Sequence, residues 1–363
     1  MKSIGSVKEN LDTEKRISIT LETAKKLIDL QFNIFIEKGY GEHLGIDDEE
    51  YKKIGINLIS SPKEVFEKSN ILLQVECPTS ENLNLIKDKS ILIGQIDPFS
   101  NSESVKKLIK KEVKIFSLNL LPRITRAQSM DVLSSQANLA GYKAVIESFS
   151  LFEKAIPMMM TAAGTVPPAK VLVIGAGVAG LQAIATAKRM GAIVFATDVR
   201  LAAKEQVESL GGKFLTVEGS ENLETDGGYA KEASEEFKKK QEDLLSETLK
   251  KIDIVICTAL IPGKKAPLII KENMVRNMKA GTLIYDLAAA QGGNSAFTQV
   301  DKVIDKNGVK IIGEKNILNK LPISASNLYA KNLFNFVSNL CDKENKEINI
   351  NLEDEIIKTT LVK

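Results

Sequence analysis

Histidine is almost missing from this chain: His43 is the only one among 363 residues. A single histidine with cysteines scattered at Cys77, Cys257 and Cys341 makes no ligand set for zinc or another transition metal, so no metal site is expected. No Cys-x-x-Cys occurs, and an odd, sparse set of three reads as reduced thiols in a cytosolic setting rather than as a disulfide framework. An excess of one charge is lacking too. Lys and Arg number 49 against 47 Asp and Glu, for a formal net charge of +2. Neither nucleic acid nor an anionic membrane surface is therefore expected as a direct partner. A Gly-x-Ser-x-Gly elbow and a P-loop are both absent. The opening Met1–Asn10 has no apolar signal core. The uncharged stretch 171–187 is slightly short for a membrane span and is interrupted by Gly175, Gly177, Gly180 and Gln182, so it reads as a buried strand, a turn and a helix.

What is present is the composition of a globular protein, 44% hydrophobic and 26% charged, in a chain too long for one ordinary core. Strand-like runs occur at Arg16–Ile19, Asn33–Glu37, Asn70–Val75, Ser90–Gly94 and Val113–Leu118, with helical patterns over Leu21–Leu30, Pro62–Ser69 and Glu103–Glu112. A long helical stretch follows from about Ser134 to Ala155, then the connector Met158–Pro168. From Ala169 the alternation restarts, with strands at Lys170–Ile174, Ala192–Thr197, Asp253–Cys257 and Thr282–Asp286. The last stretch, Ser324–Cys341, reads as an amphipathic helix returning to the first domain. The expected fold is α/β, two Rossmann-like doubly wound parallel-sheet domains with a nucleotide cleft between them. Residues 1–133 plus about 315–363 would form the first domain and 134–314 the second.

Gly175-Ala-Gly177-Val-Ala-Gly180 follows a buried-strand pattern and opens the helix Leu181–Met190. The first glycine permits the tight turn, the second lets backbone approach a pyrophosphate, and the third lets helix pack on strand. The helix N-terminus supplies N–H groups to the phosphates. Eighteen residues beyond Gly180, Asp198 ends the next strand, where an acid takes the adenosine ribose hydroxyls and disfavours a 2′-phosphate. Arg200, two residues on, is the opposite signal, although the acid points to NAD(H).

A dehydrogenase acting on an alcohol or amine needs an acid/base group at the nicotinamide, and His43 is far from the glycine motif and suits a structural role. Direct transfer between two nicotinamide rings needs none. The segment Arg123–Ser134 concentrates cation, amide, acid and hydroxyl. It can hold ribose and carboxamide, or it can simply begin a helix with Asp131 or Ser134 as cap.

Pro122-Arg-Ile-Thr-Arg-Ala-Gln-Ser-Met-Asp-Val-Leu-Ser-Ser-Gln-Ala-Asn-Leu-Ala-Gly-Tyr142 resembles the Arg-Gln-Asp loop of proton-translocating NAD(P) transhydrogenases. Pro157–Ala169, Gly227-Gly-Tyr-Ala-Lys-Glu232 and Thr258-Ala-Leu-Ile-Pro-Gly263 do likewise, and the likeness to the soluble NAD(H)-binding alpha subunit covers essentially the whole chain. The resemblance implies that Arg123, Gln128, Asp131 and Ser134 position nicotinamide and ribose. It also implies NAD contacts from Ile124, Thr125, Ser129, Met130, Val178, Asp198, Val199, Arg200, Gly228, Gln241 and Leu260. Tyr229 would tip a mobile loop near 220–235. It further implies a homodimer, NADP(H) as co-substrate on a membrane-embedded partner, and a cytoplasmic place on the inner membrane face. Without membrane helices before Lys363, the chain looks like the split-gene form. Alanine dehydrogenase is the related alternative, but its Lys and His regions hold Gln74 and Asp97 here. A neutral amide and an acid do not replace a cation that holds a carboxylate. An NAD-sensing module is the non-enzymatic alternative.

Overall fold

The computed structural model describes residues 2–217, 235–261, 263–342 and 347–362, in two compact units: Met1–Gln136 with Leu318–Lys363, and Ala137–Ile317.

The first unit is built on strands β1 (Ser3–Ser6), β2 (Asn33–Glu37), β3 (Asn57–Ile59), β4 (Ile71–Leu73), β5 (Ile91–Gly94) and β6 (Lys114–Ser117). They pair in the order β3-β2-β1-β4-β5-β6, all parallel, so the direction of winding reverses between β1 and β4. Parallel strands are covered on both faces, which explains why β4 is uninterrupted Ile-Leu-Leu. Ile71 and Leu73 face one core cluster, and Leu72 faces the other. The helix Pro322–Leu340 belongs to this unit and lays Tyr329, Leu333, Phe336 and Val337 into the first cluster.

One expectation fails here. Arg16–Ile19 is not a strand, although it alternates like one. Its backbone N–H groups go to side chains: Ile17 to the Ser326 hydroxyl, Ser18 and Ile19 to the Tyr40 hydroxyl. The central strand is β1 instead, in a stretch with little hydrophobic signal. There Gly5 is needed because a Cβ would lie 2.2 Å from the Ser69 hydroxyl oxygen.

The second unit holds β7 (Met159–Thr161), β8 (Gly164–Val166), β9 (Lys170–Ile174), β10 (Ile193–Thr197), β11 (Lys213–Phe214), β12 (Ile254–Cys257), β13 (Leu283–Asp286), β14 (Lys302–Lys306) and β15 (Val309–Gly313). The main sheet runs β11-β10-β9-β12-β13-β15-β14, parallel except for β14. Val171 and Val173 of β9 face one core cluster, and Leu172 and Ile174 the other, so the whole run is apolar. Winding reverses at β9, the strand that leads into the glycine turn. The connector 158–168 contains more than a linker: β7 and β8 form an antiparallel hairpin on which Met160 is 81% exposed.

The long helix runs Val132–Leu151, and the boundary between the units falls within it after Gln136. Inside the second unit its Gly141 approaches the glycine-turn helix so closely that a Cβ would stand 2.0 Å from the Ala179 carbonyl oxygen. Among the described residues no helix is long and apolar enough to cross a membrane.

Candidate functional site

In the second unit the glycine turn joins β9 to the helix Val178–Arg189. Each glycine has its own reason. Gly175 sits at φ +90°, a conformation that L side chains rarely adopt. A Cβ on Gly180 would lie 1.8 Å from the Gly175 carbonyl oxygen, so only glycine lets this helix meet the strand end. Gly177 is extended, and a Cβ there would meet nothing within 4 Å. The space above Gly177 is thus left open beside a helix N-terminus, which is where phosphate oxygens are stabilised by N–H groups and the helix dipole. The hydroxyl of Thr258, just past β12, donates to the Gly175 carbonyl at 2.8 Å and fixes the turn from the neighbouring strand.

Asp198 follows β10, its side chain only 6% exposed. One oxygen accepts from the Ala176 N–H at 2.7 Å and from the Arg200 guanidinium at 2.9 Å. The other accepts from the Arg200 backbone N–H and Nε, both at 2.9 Å. Burial by itself raises this carboxyl, but the bonds from Arg200 and Ala176 outweigh it and hold the group below its ordinary value. The two opposing specificity signals in the sequence are therefore one ion pair. Asp198, Val199 and Gln241 come together in a crevice with Leu201, Phe214 and Leu215. Val178 and Leu260 are exposed. Gly228 and Tyr229 lie outside the described residues.

Beyond β12 and β13 a buried acid organises the loops. Asp286 accepts from the N–H groups of Ala288, Asn294 and Ser295 and from the Thr298 hydroxyl. Burial raises its carboxyl despite these bonds. Asn294, so placed, accepts from Ala259 N–H and donates to the Ala259 and Pro267 carbonyls, bracing the segment that carries Leu260. Thr258 opens one of the resembling segments but had no role assigned from sequence, and Asn294 was not singled out, because no motif spacing distinguishes it.

In the first unit, Thr125–Met130 is a 3₁₀ turn that runs into the long helix. Asp131 caps that helix, its two oxygens accepting from the Ser134 N–H at 2.9 Å and hydroxyl at 2.5 Å. The helix-start reading of this acid is thus realised. Arg123, Thr125, Gln128 and Ser129 are exposed, Ile124 is half-buried, and Ala127 and Met130 are buried in the core. Two asparagines that the sequence did not flag, Asn332 and Asn335, donate to the Ser129 carbonyl, each at 2.8 Å.

His43 is an exposed side chain with Nε2 2.8 Å from the Lys15 carbonyl oxygen. Among the described residues no cluster could hold a metal ion. Gln74 is fully used within the fold. Its amide oxygen accepts from Val7 N–H at 2.9 Å and the Ser6 hydroxyl at 3.2 Å, and its amide nitrogen donates to Val7 and Glu9. Asp97 caps its own loop through Phe99 N–H and the Ser100 hydroxyl.

Two doubly wound units, one with a complete glycine turn and an acid at the tip of the next strand, define a dinucleotide-binding α/β protein of the Rossmann class. Residues 5–140 match the alanine dehydrogenase/PNT N-terminal domain and residues 144–363 its C-terminal domain. An NAD(P) transhydrogenase alpha-subunit chain of Rhodospirillum rubrum is 48% identical, over 99% of this chain and 95% of its own. A solved transhydrogenase from Sinorhizobium meliloti superposes with a TM-score of 0.89 at 43% identity, over 99% of this chain and 98% of that one. An alanine dehydrogenase from Methanococcus maripaludis is 27% identical over 80% of this chain and 73% of its own. The chain belongs to the alanine dehydrogenase/PNT family, with the transhydrogenase alpha subunits, and is an enzyme subunit of that kind.

Proposed function

We propose that this chain is the NAD(H)-binding subunit of a proton-translocating transhydrogenase. In this reading it passes hydride between NADH and NADP+, the latter held by a membrane-embedded partner subunit. The observation that carries the reading is the glycine turn with open space over Gly177 and the acid Asp198 at the tip of β10, in a chain nearly half identical to a transhydrogenase alpha subunit.

The second unit supplies the dinucleotide site. N–H groups at the start of the Val178–Arg189 helix take the pyrophosphate, and Asp198 takes the adenosine ribose, with Val199, Arg200, Gln241 and Leu260 around it. The first unit supplies Arg123, Gln128, Asp131 and Ser134 to the nicotinamide and its ribose, helped by Ile124, Thr125, Ser129 and Met130. NADH itself carries the hydride. These residues orient the ring, exclude water and need move no proton, in keeping with a chain whose one histidine serves a loop. The reading includes a homodimer, attached on the cytoplasmic side of the membrane through its partners, with hydride transfer coupled to proton passage.

Asp131→Asn tests it well, because asparagine is also a good helix cap and the fold should survive. Together with Gln128→Asn it should slow single-turnover transfer to an NADP+-loaded partner subunit about tenfold or more, while NADH affinity changes less. Weakened binding with an unchanged transfer rate would refute the positioning role. Oxidation of NADH by this chain alone with pyruvate and ammonia would instead point to alanine dehydrogenase chemistry, and none is expected.

A further inference from the structure

We propose that Asn332 and Asn335, with Asp354 behind them, are positioning residues that hold the Arg123–Ser134 segment in its working shape. This rests on the reading that the segment meets the nicotinamide.

Six residues of 3₁₀ turn, Thr125–Met130, are longer than such turns usually run unsupported. The support comes from the last helices of the chain. The Ser129 carbonyl receives two amides, from Asn332 and Asn335, filling both of its lone-pair directions. The same Asn332 accepts from the Ser135 hydroxyl at 2.7 Å, so one side chain ties the turn to the first turn of the long helix. Three residues before Ser129, Arg126 forms a two-pronged pair with Asp354 and also reaches the Asn339 amide oxygen at 3.2 Å. That pairing holds the Asp354 carboxyl down at about 2. Ala127 and Met130 are sunk in the core. The result alternates: 126, 127, 129 and 130 are fastened, while Gln128 between them projects from the surface. A residue flanked on both sides by fixed backbone presents its amide in one place.

Because two donors share one carbonyl, the losses should not multiply simply. Asn335→Ala, at a half-buried position, leaves Asn332 in place and should change transfer less than about threefold, below the roughly fivefold of one whole net hydrogen bond, because the carbonyl keeps a donor. Asn332→Ala/Asn335→Ala should slow transfer roughly ten- to a hundredfold, beyond the product of the singles, with the dissociation constant for NADH within a few-fold of the parent. The chain has no tryptophan, so emission from bound NADH reads the ring's surroundings directly; its lifetime should shorten in the double variant. Asn335→Gln, which keeps a donor amide, should restore part of both readouts in the Asn332→Ala background. Should the buried Asn332→Ala fail to fold, Arg126→Ala/Asn335→Ala removes two surface fastenings and decides the matter by the same measurements. Unchanged emission lifetime and transfer rate in a folded double variant overturn the proposal. So does loss of rate and affinity together in proportion to lost helix content. Gln128→Asn, measured alongside, separates the two levels. If it alone is slow, the positioning role fails and the nucleotide reading stands; if it matches the parent in rate and lifetime, that reading itself fails.

Discussion

Gly177 and Gly180 stand three residues apart, and the same substitution at each should do opposite things. At Gly180 an added Cβ falls 1.8 Å from the Gly175 carbonyl oxygen and 3.1 Å from the Thr258 hydroxyl. The first contact is with backbone, so no rotamer change relieves it, and helix and strand must part by more than 1 Å. Overpacking of this kind costs about 1–3 kcal/mol, and a backbone clash belongs at the upper end. For a unit the size of Ala137–Ile317, about 3 kcal/mol corresponds to a melting point lower by roughly 6–12 °C. At Gly177 the backbone is at φ −76°, ψ −168°, which alanine adopts freely, and the methyl meets no atom within 4 Å. The small loss of a glycine cap is offset by the stiffer unfolded chain, so stability should stay within about 0.5 kcal/mol. The methyl does, however, fill the space assigned to the pyrophosphate. NADH affinity should fall at least about tenfold, or ~1.4 kcal/mol. Thermal melts by circular dichroism and titration of NADH emission give the two numbers. A Gly177→Ala protein that melts early, or that binds NADH like the parent, refutes the reasoning that the middle glycine is kept for the ligand rather than for the fold.

Two further outcomes follow from half-buried acids. Burial raises the Glu9 carboxyl to about 8, with Glu14 and Glu76 adding repulsion and the Val75 N–H opposing. The folded chain then keeps a proton that the unfolded chain has lost above 4.5. Stability from this group is full below 4.5 and drains as pH rises to about 8, at up to ~1.4 kcal/mol per pH unit. Glu9→Gln should therefore gain on the parent in urea unfolding as pH climbs from 5 toward 8; a flat difference means Glu9 is ionised in the fold. Asp198→Ala removes the carboxylate that pairs with the Arg200 guanidinium, and the ratio of NADPH to NADH affinity should rise at least about tenfold, equivalent to ~1.4 kcal/mol. No change in that ratio would show that the pair does not set the choice of nucleotide.

What the sequence revealed depended on whether a residue's environment is written in its neighbours. Val171–Ile174 is legible as a buried parallel strand because both faces demand apolar side chains. β1 is not, since Ser3-Ile-Gly-Ser6 carries one large apolar side chain and owes its burial to β2 and β4 on either side. Arg16–Ile19 misleads for the converse reason: it alternates, yet the N–H groups of Ile17, Ser18 and Ile19 are spent on Ser326 and Tyr40, far away in sequence. The glycine turn was readable from spacing because steric need selects glycine at 175 and 180, and the space left open over 177 completes the pattern. Asn332 and Asn335 were not, because an amide on an amphipathic helix looks like any solvated side chain until the Ser129 carbonyl is seen beside it.

Both units have a point where the winding of a parallel sheet reverses, and such points are where α/β proteins bind ligands. They have been put to different use. In the first unit the ends of β1, β4 and β5 are closed by the chain itself. Arg16 sits there nearly buried, its guanidinium gripped at both prongs by the buried Glu14 carboxylate and bonded to Gln95 and Gln136. Tyr329 donates to the Gln74 carbonyl below the same cation. An arginine satisfied this way offers little to an incoming small carboxylate, which would have to displace Glu14 and leave it buried without its partner, a costly exchange. In the second unit the end of β9 is kept clear by the missing side chain of Gly177. The division of labour thus rests on Glu14 filling one crevice and on a glycine leaving the other open, and it argues for chemistry on a bound dinucleotide rather than on a small acid.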